Sequence, residues 1–168
     1  MHAPIALVLS QSRQHRNRLA DFVSVCLVLC CSCFSAGKST LLDVIAGKKT
    51  GGRTEGVIKV NGVPKVQSQF ARYAAYVEQF DSFAPLNTVR ETVAFSGRLR
   101  LSPDLSDAEL NRKVDRVLDT LNLRPAEHHI VGFPGMGISM ELRKKLAIAV
   151  EVIAEPLILL LDEPTTGQ

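Results

Sequence analysis

Leu157-Ile158-Leu159-Leu160-Leu161 is an unbroken apolar run that stops abruptly at Asp162-Glu163. A strand with one face in water alternates apolar and polar side chains, whereas a strand apolar on both faces must be covered on both. Such a strand belongs in the middle of a parallel sheet with helices packed against it. The run therefore predicts a layered α/β fold. With 168 residues and an apolar fraction of 46%, the chain is large enough for one domain with a real core.

The rest of the chain supplies partners for that strand. Val23 to Leu29 is β-rich and apolar and reads as a second buried strand. Lys38 to Ala46 reads as a helix with Leu41, Leu42 and Ile45 on one face, closed by Gly47. A Gly-rich turn at Thr50 to Arg53 precedes a strand from Gly56 to Val60, and Asn61-Gly62 is a hairpin turn. Arg72 to Glu78 reads as another strand. Beyond Pro85 the pattern becomes helical. Thr88 to Leu99 is one helix; Ser106 with Glu109 forms a capping box opening the next, whose apolar stripe is Leu110, Val114, Val117, Leu118 and Leu121. A loop from Ala126 to Gly137 leads to a helix from Met140 to Ala154, which stops before Pro156.

Two short motifs carry chemistry. Ala36-Gly37-Lys38-Ser39-Thr40 matches the end of the phosphate-binding pattern G-x-x-x-x-G-K-[ST]. Backbone N–H groups at the start of the following helix point at anionic oxygens, Lys38 adds a positive charge, and the Ser39 hydroxyl can ligate Mg²⁺. Upstream, Ser32 stands at the first glycine of the pattern and Ser35 at a further glycine of one large family. A serine forced into the left-handed region costs about 1–2 kcal/mol, so these two positions are expected to weaken anion binding. The second motif is the acid pair after the apolar strand. In phosphate-loop proteins an acid at that strand end meets the metal beside the loop, a role that suits Asp162, while Glu163 suits a general base or water-positioning group.

Composition excludes less than it suggests. A net charge of +3, without any long run of one sign, does not argue for nucleic acid. All four cysteines lie between Cys26 and Cys33, which is neither a disulfide framework nor a zinc spacing, and fits thiols in a reducing compartment. Arg13, Arg16 and Arg18 before the apolar stretch Phe22 to Phe34, then Ser35, Ala36 and Gly37, follow signal-peptide grammar, but cleavage there would cut into the phosphate motif. The stretch is too short for a bilayer. It reads as a buried strand feeding the loop or as sequence foreign to the fold.

From about Ser35 to Gly167 the chain resembles an ATP-binding cassette domain, the ATPase engine of ABC transporters, and in particular the pleiotropic-drug-resistance type of the G subfamily. The resemblance is carried by the phosphate motif, the stretch Leu41-Leu42-Asp43-Val44-Ile45-Ala46-Gly47-Lys48-Lys49-Thr50-Gly51-Gly52, Asn61-Gly62, Tyr76-Val77-Glu78-Gln79, Ile138 to Lys145, and Asp162-Glu163. It sits nearer the second, C-terminal cassette of full-length transporters. It implies a P-loop NTPase core with a small antiparallel β layer and an inserted helical subdomain at about residues 85–155. It also implies a partial domain over residues 35–168, truncated before the D-loop and switch histidine, behind an atypical segment of residues 1–34.

The resemblance further implies ATP and Mg²⁺ as cofactors, with residue roles. Ser35, Ala36, Gly37, Lys38, Ser39 and Thr40 cradle the phosphates. Asp162 is the Walker B aspartate, Glu163 the catalytic glutamate, and Gln79 the Q-loop glutamine that touches metal or attacking water; Ser39, Gln79 and Asp162 form the metal side. Ser139, opening a helix, meets the γ-phosphate bound by a partner cassette, although Met140, Glu141 and Leu142 stand where the family usually has two glycines and a glutamine. His128 and His129 precede the Asp162-Glu163 motif and are expected on a surface loop. The partners implied are a transmembrane domain and a second cassette, with no nucleic acid. The location implied is the cytoplasmic face of a membrane, reached through a parent transporter, with no transmembrane segment in this chain. The expected function is ATP binding, and in an intact parent ATP hydrolysis, powering transport of small molecules. A non-enzymatic remnant and a soluble P-loop ATPase are the alternatives.

Overall fold

The computed structural model describes residues 8–9, 25–29, 37–60, 62–78, 82–133 and 135–162, with the backbone alone for 8–9, 25–29, Lys38 and Asp162. The described residues fall into two compact units, one reaching to Tyr76 and resuming at Pro156, the other spanning Val77–Glu155.

The first unit is built on a three-stranded sheet. Strand β1 is Val8–Leu9 and β2 is Val25–Leu29; helix α1 is Lys38–Ala46; β3 (Lys59–Val60) and β4 (Val63–Pro64) precede helix α2 (Gln67–Tyr73) and strand β5 (Ala74–Val77). The last strand, Ile158–Asp162, is β8, and it lies between β2 and β5. It runs parallel to β2, with Val25 beside Ile158 and Leu29 beside Asp162. Ile158, Leu159, Leu160 and Leu161 are all buried, so both faces of β8 are covered, as an uninterrupted apolar run requires. One face takes α1: Leu42 and Ile45 pack with Ile158, Leu160 and Phe70. Helix α1 has the predicted bounds. It stops where Gly47 turns left-handed at φ 77° and gives its N–H to the carbonyls of Asp43 and Val44.

Two expectations in this unit are corrected and one strand is added. The strand expected at Arg72 to Glu78 is preceded by a helical turn, because Phe70 anchors α2 in the core and meets Tyr73 edge-on at 5.4 Å across an i, i+3 spacing. Only Ala74–Val77 is strand. The strand expected from Gly56 contracts to β3, which pairs antiparallel with β4 around the positive-φ Gly62; Asn61 lies outside the described residues. Val8–Leu9, not predicted as a strand, pairs parallel with β3.

The second unit is helical. Helices α3 (Val89–Arg100), α4 (Asp107–Thr120) and α5 (Met140–Val152) enclose Val93, Leu110, Val114, Leu118, Leu146 and Ile153. Capping boxes Thr88–Glu91 and Ser106–Glu109 open α3 and α4. The predicted stripe of α4 is buried along its length, down to Leu121 at 8% exposure. Gly97 lets the helices close up: a Cβ there would lie 2.8 Å from Leu110 and 3.1 Å from Ile153. Within the expected loop Ala126 to Gly137 a small hairpin forms, β6 (Gly132–Phe133) against β7 (Met136–Gly137). Helix α5 ends two residues earlier than predicted, at Val152.

Candidate nucleotide site

A helix N-terminus leaves its first N–H groups without intrahelical partners, and a capping side chain usually takes one. Helix α1 has Gly37 as its N-cap, in the left-handed region at φ 99°, so the N-cap residue itself offers no side-chain acceptor, and the first turn holds no acid. The positive end of the helix dipole therefore meets no carboxylate of its own turn, an arrangement that suits an anion. Ser39 and Thr40 are exposed at this end. Lys38 is the first helical residue, and only its backbone is described.

The strand ends lie at the same level. Asp162 closes β8 opposite Leu29, the last residue of β2, and residues 30–37 separate Leu29 from α1. The helix that follows β2 in the chain thus packs on β8, the neighbouring parallel strand. Ligands of such sheets bind outside the carboxyl ends of the strands. The described structure thus has Gly37, Lys38, Ser39 and Thr40 at the start of α1 and Asp162 at the end of β8, the strand beside β2, all within one unit. Ser35, Ala36, Gln79 and Glu163 lie outside the described residues, as does Ser32; β5, which leads toward Gln79, is the third strand of the same sheet.

A cavity of about 610 Å³ runs along α1 from Gly37 and Thr40. Leu41 and Val44 wall one side, Val57 and Ile58 another, so its surface is mainly aliphatic. Lys49 and Lys65 bring positive charge to it. Lys65 gives a hydrogen bond to the carbonyl of Ile45 at 2.6 Å and sits 4.8 Å from the Phe70 ring centre; burial pulls its pKa below the ordinary lysine value. Gln67 similarly donates to the carbonyl of Ala46 at 2.6 Å. Two side chains from the segment 65–67 thus satisfy the carbonyl end of α1. Sequence reasoning missed both, because spacing carries no signal for contacts 20 and 21 residues apart.

Ser139 opens α5 in the second unit. Its hydroxyl oxygen accepts from the N–H of Leu142 at 3.3 Å, and the first turn carries Glu141, whose carboxylate bonds Lys145 at 2.6 Å and has a lowered pKa for that reason. His128 and His129 are exposed, as expected of a surface turn. Among the described residues no three His, Cys, Asp or Glu side chains gather as a metal-binding group.

Residues 35–166 match the family model described as ABC transporter. The chain is 50% identical over 133 residues to the ABC transporter G family member 30 of Arabidopsis thaliana, covering 79% of this chain and 10% of that protein. It is 48% identical over 133 residues to the ABC transporter G family member 41 of Oryza sativa subsp. japonica, and 47% identical over 133 residues to the pleiotropic drug resistance protein 1 of Nicotiana tabacum, in each case covering 79% of this chain and 9% of the relative. The chain therefore spans about a tenth of the length of the relatives it matches.

Proposed function

The chain belongs to the ABC transporter family, and from that premise we propose that it holds MgATP at the N-terminal end of α1 and, within an intact parent, hydrolyses it to power transport of small molecules. The observation that carries this reading is the register of β2 and β8, with Asp162 at the carboxyl end of the inner strand and α1, whose N-cap is Gly37, packed over that strand. A helix tip with a glycine N-cap and no acid in its first turn suits an anion, and a carboxylate at the neighbouring strand end suits a cation beside that anion.

The roles divide by chemistry. Backbone N–H groups at Lys38, Ser39 and Thr40, with those of the loop at Ser35, Ala36 and Gly37, hold phosphate oxygens, and the Lys38 ammonium offsets their charge. The Ser39 hydroxyl, the Asp162 carboxylate and the Gln79 amide would hold Mg²⁺, which when bound neutralises charge on the phosphates. Glu163 accepts a proton from the attacking water, and Gln79 orients that water. Ser139, from a second cassette, closes over the terminal phosphate. The partners in this reading are a transmembrane domain and that second cassette, and the chain reaches the cytoplasmic face of a membrane through them. Among the described residues no helix is long and apolar enough to cross a membrane.

Titration of the chain with a fluorescent ATP analogue and Mg²⁺ tests the binding claim. Saturable binding between micromolar and millimolar nucleotide, about 4–8 kcal/mol, that is lost in Lys38→Ala supports it. Absence of binding at millimolar nucleotide leaves the non-enzymatic remnant as the reading. Any hydrolysis present should vanish in Glu163→Gln.

A further inference from the structure

The segment that leads into Ser139 closes tightly on itself. Gly132 and Gly137 face each other across the β6–β7 hairpin with φ of 71° and 130°, and a Cβ on either would run into the backbone of the facing strand. The N–H of Ile138, just before Ser139, donates to the carbonyl of Val131 at 3.2 Å. One turn into α5, Arg143 reaches back to the same place: its Nη2 donates to the carbonyl of Val131 at 2.8 Å and to that of Gly132 at 2.5 Å. On the other side, the N–H of Val131 donates to the carbonyl of Asn87 and that of Gly132 to the carbonyl of Pro85, both at 2.9 Å. Asn87 immediately precedes Thr88, the N-cap of α3. Residues 85–88, the hairpin and the start of α5 thus share one hydrogen-bonded junction, and Arg143 is its charged member.

The junction has a cost. The Nε of Arg143 is enclosed and finds no acceptor among the described residues. A buried donor without a partner is unfavourable, and charge-assisted bonds from the same guanidinium offset it. A lysine offers one compact ammonium in place of a planar fork, so it can keep one of the two carbonyl contacts more easily than both.

Resting on the reading of Ser139 as the group that meets a partner's phosphate, we propose that Arg143 is a positioning residue for Ser139. It touches no nucleotide. It grips the carbonyls of Val131 and Gly132, and through them fixes the hairpin to the first turn of α5, so that the hydroxyl and N–H groups at Ser139 are presented from a rigid edge.

Amide exchange measured by NMR on the whole chain tests this, with Arg143→Met and Arg143→Lys as variants. In Arg143→Met the amides of Val131, Gly132 and Ile138 should exchange about tenfold faster or more, while those of Val114 and Leu118 in α4 keep their rates. Arg143→Lys should recover part of the protection. In the parent chain the Arg143 Nε–H should give its own resonance, shielded from exchange with water. Unchanged rates at Val131, Gly132 and Ile138, an equal rise across α3, α4 and α5, or a rapidly exchanging Nε–H in the parent would each overturn the proposal. Failure of the nucleotide reading shows up separately, as an absence of MgATP binding by the parent chain with the exchange pattern intact.

Discussion

Tyr76 gives its phenolic O–H to the carboxylate of Asp43 at 3.1 Å, tying β5 to α1. Lys48 lies over the same ring, 4.3 Å from its centre. The strand that runs on toward Gln79 and the helix that begins at Lys38 are thereby joined by a polar contact as well as by the core beneath them. Tyr76→Phe keeps the ring and its cation–π contact but removes the O–H. The expected loss is about 1 kcal/mol, the usual net worth of an intramolecular hydrogen bond, because partial exposure of the pair keeps it below a buried bond to a charged group. Urea unfolding would detect it as a lower midpoint at unchanged slope. A midpoint that does not move would show that water replaces the contact at no cost.

How much of this could be read from residues alone depends on how local the cause is. Helix α4 was legible because Ser106, Glu109 and the stripe Leu110, Val114, Val117 and Leu118 all lie within its own span. Helix α2 was not, since it has seven residues, one buried anchor at Phe70, and Val66 rather than a capping residue before it. The β6–β7 hairpin read as loop because its glycines are also loop residues, and the side-chain contact that reaches its first strand comes from Arg143 in the next helix. The site divides in the same way. The helix tip proposed to face an anion is written in Gly37-Lys38-Ser39 before a run of helix formers, whereas the contact from Tyr76 crosses 33 residues of chain.

Gly37 and the two serines upstream make a paired prediction. The backbone of Gly37 is left-handed, and a Cβ there would meet nothing within 4 Å among the described residues, so Gly37→Ala acts through backbone strain. The strain should cost about 1–2 kcal/mol and weaken MgATP binding by roughly a factor of ten, since 1.4 kcal/mol is one decade. If Ser32 and Ser35 occupy the same kind of conformation, the double change Ser32→Gly with Ser35→Gly should tighten binding by about one to three decades. Equal affinity of the parent and the double variant would mean that neither serine is strained.

Acid should loosen the helical unit through Arg90. Its guanidinium bonds Asp115 and, at 2.8 Å, Glu127; Arg124 bonds the same Asp115 at 2.6 Å. Hydrogen bonds from Arg90 and Arg124 hold Asp115 below the ordinary carboxylate range, and the bond from Arg90 does the same for Glu127, with His128 also nearby. Because the folded-state values are depressed, the stabilisation is fully present above the unfolded values, about pH 4. It is lost as pH falls through the lower folded ones. Arg90→Met should therefore lower the melting temperature by a few degrees at pH 7 and by much less at pH 3. Partial exposure keeps the effect modest. A melting difference that is the same at both pH values would assign the loss to packing of the Arg90 stem instead.

Ser139 offers a way to separate a structural role from a chemical one at a single atom. Its oxygen accepts from Leu142 N–H and so caps α5, with no reciprocal partner, because the third helical residue is Leu142 and not Glu or Gln. Removing the hydroxyl in Ser139→Ala should cost about 1 kcal/mol of stability and would confuse the two roles. Ser139→Asp does not: aspartate is as good an N-cap as serine and suits the positive end of the helix, but it puts a negative charge where a partner's phosphate is expected. Thermal unfolding of Ser139→Asp should therefore match the parent, and MgATP affinity at α1 should be unchanged. ATP-driven pairing of chains, followed by sedimentation in the Glu163→Gln background, should fall by at least about tenfold, since like charges brought together at an interface cost several kcal/mol. Undiminished pairing would remove Ser139 from the phosphate and leave it as a helix cap alone.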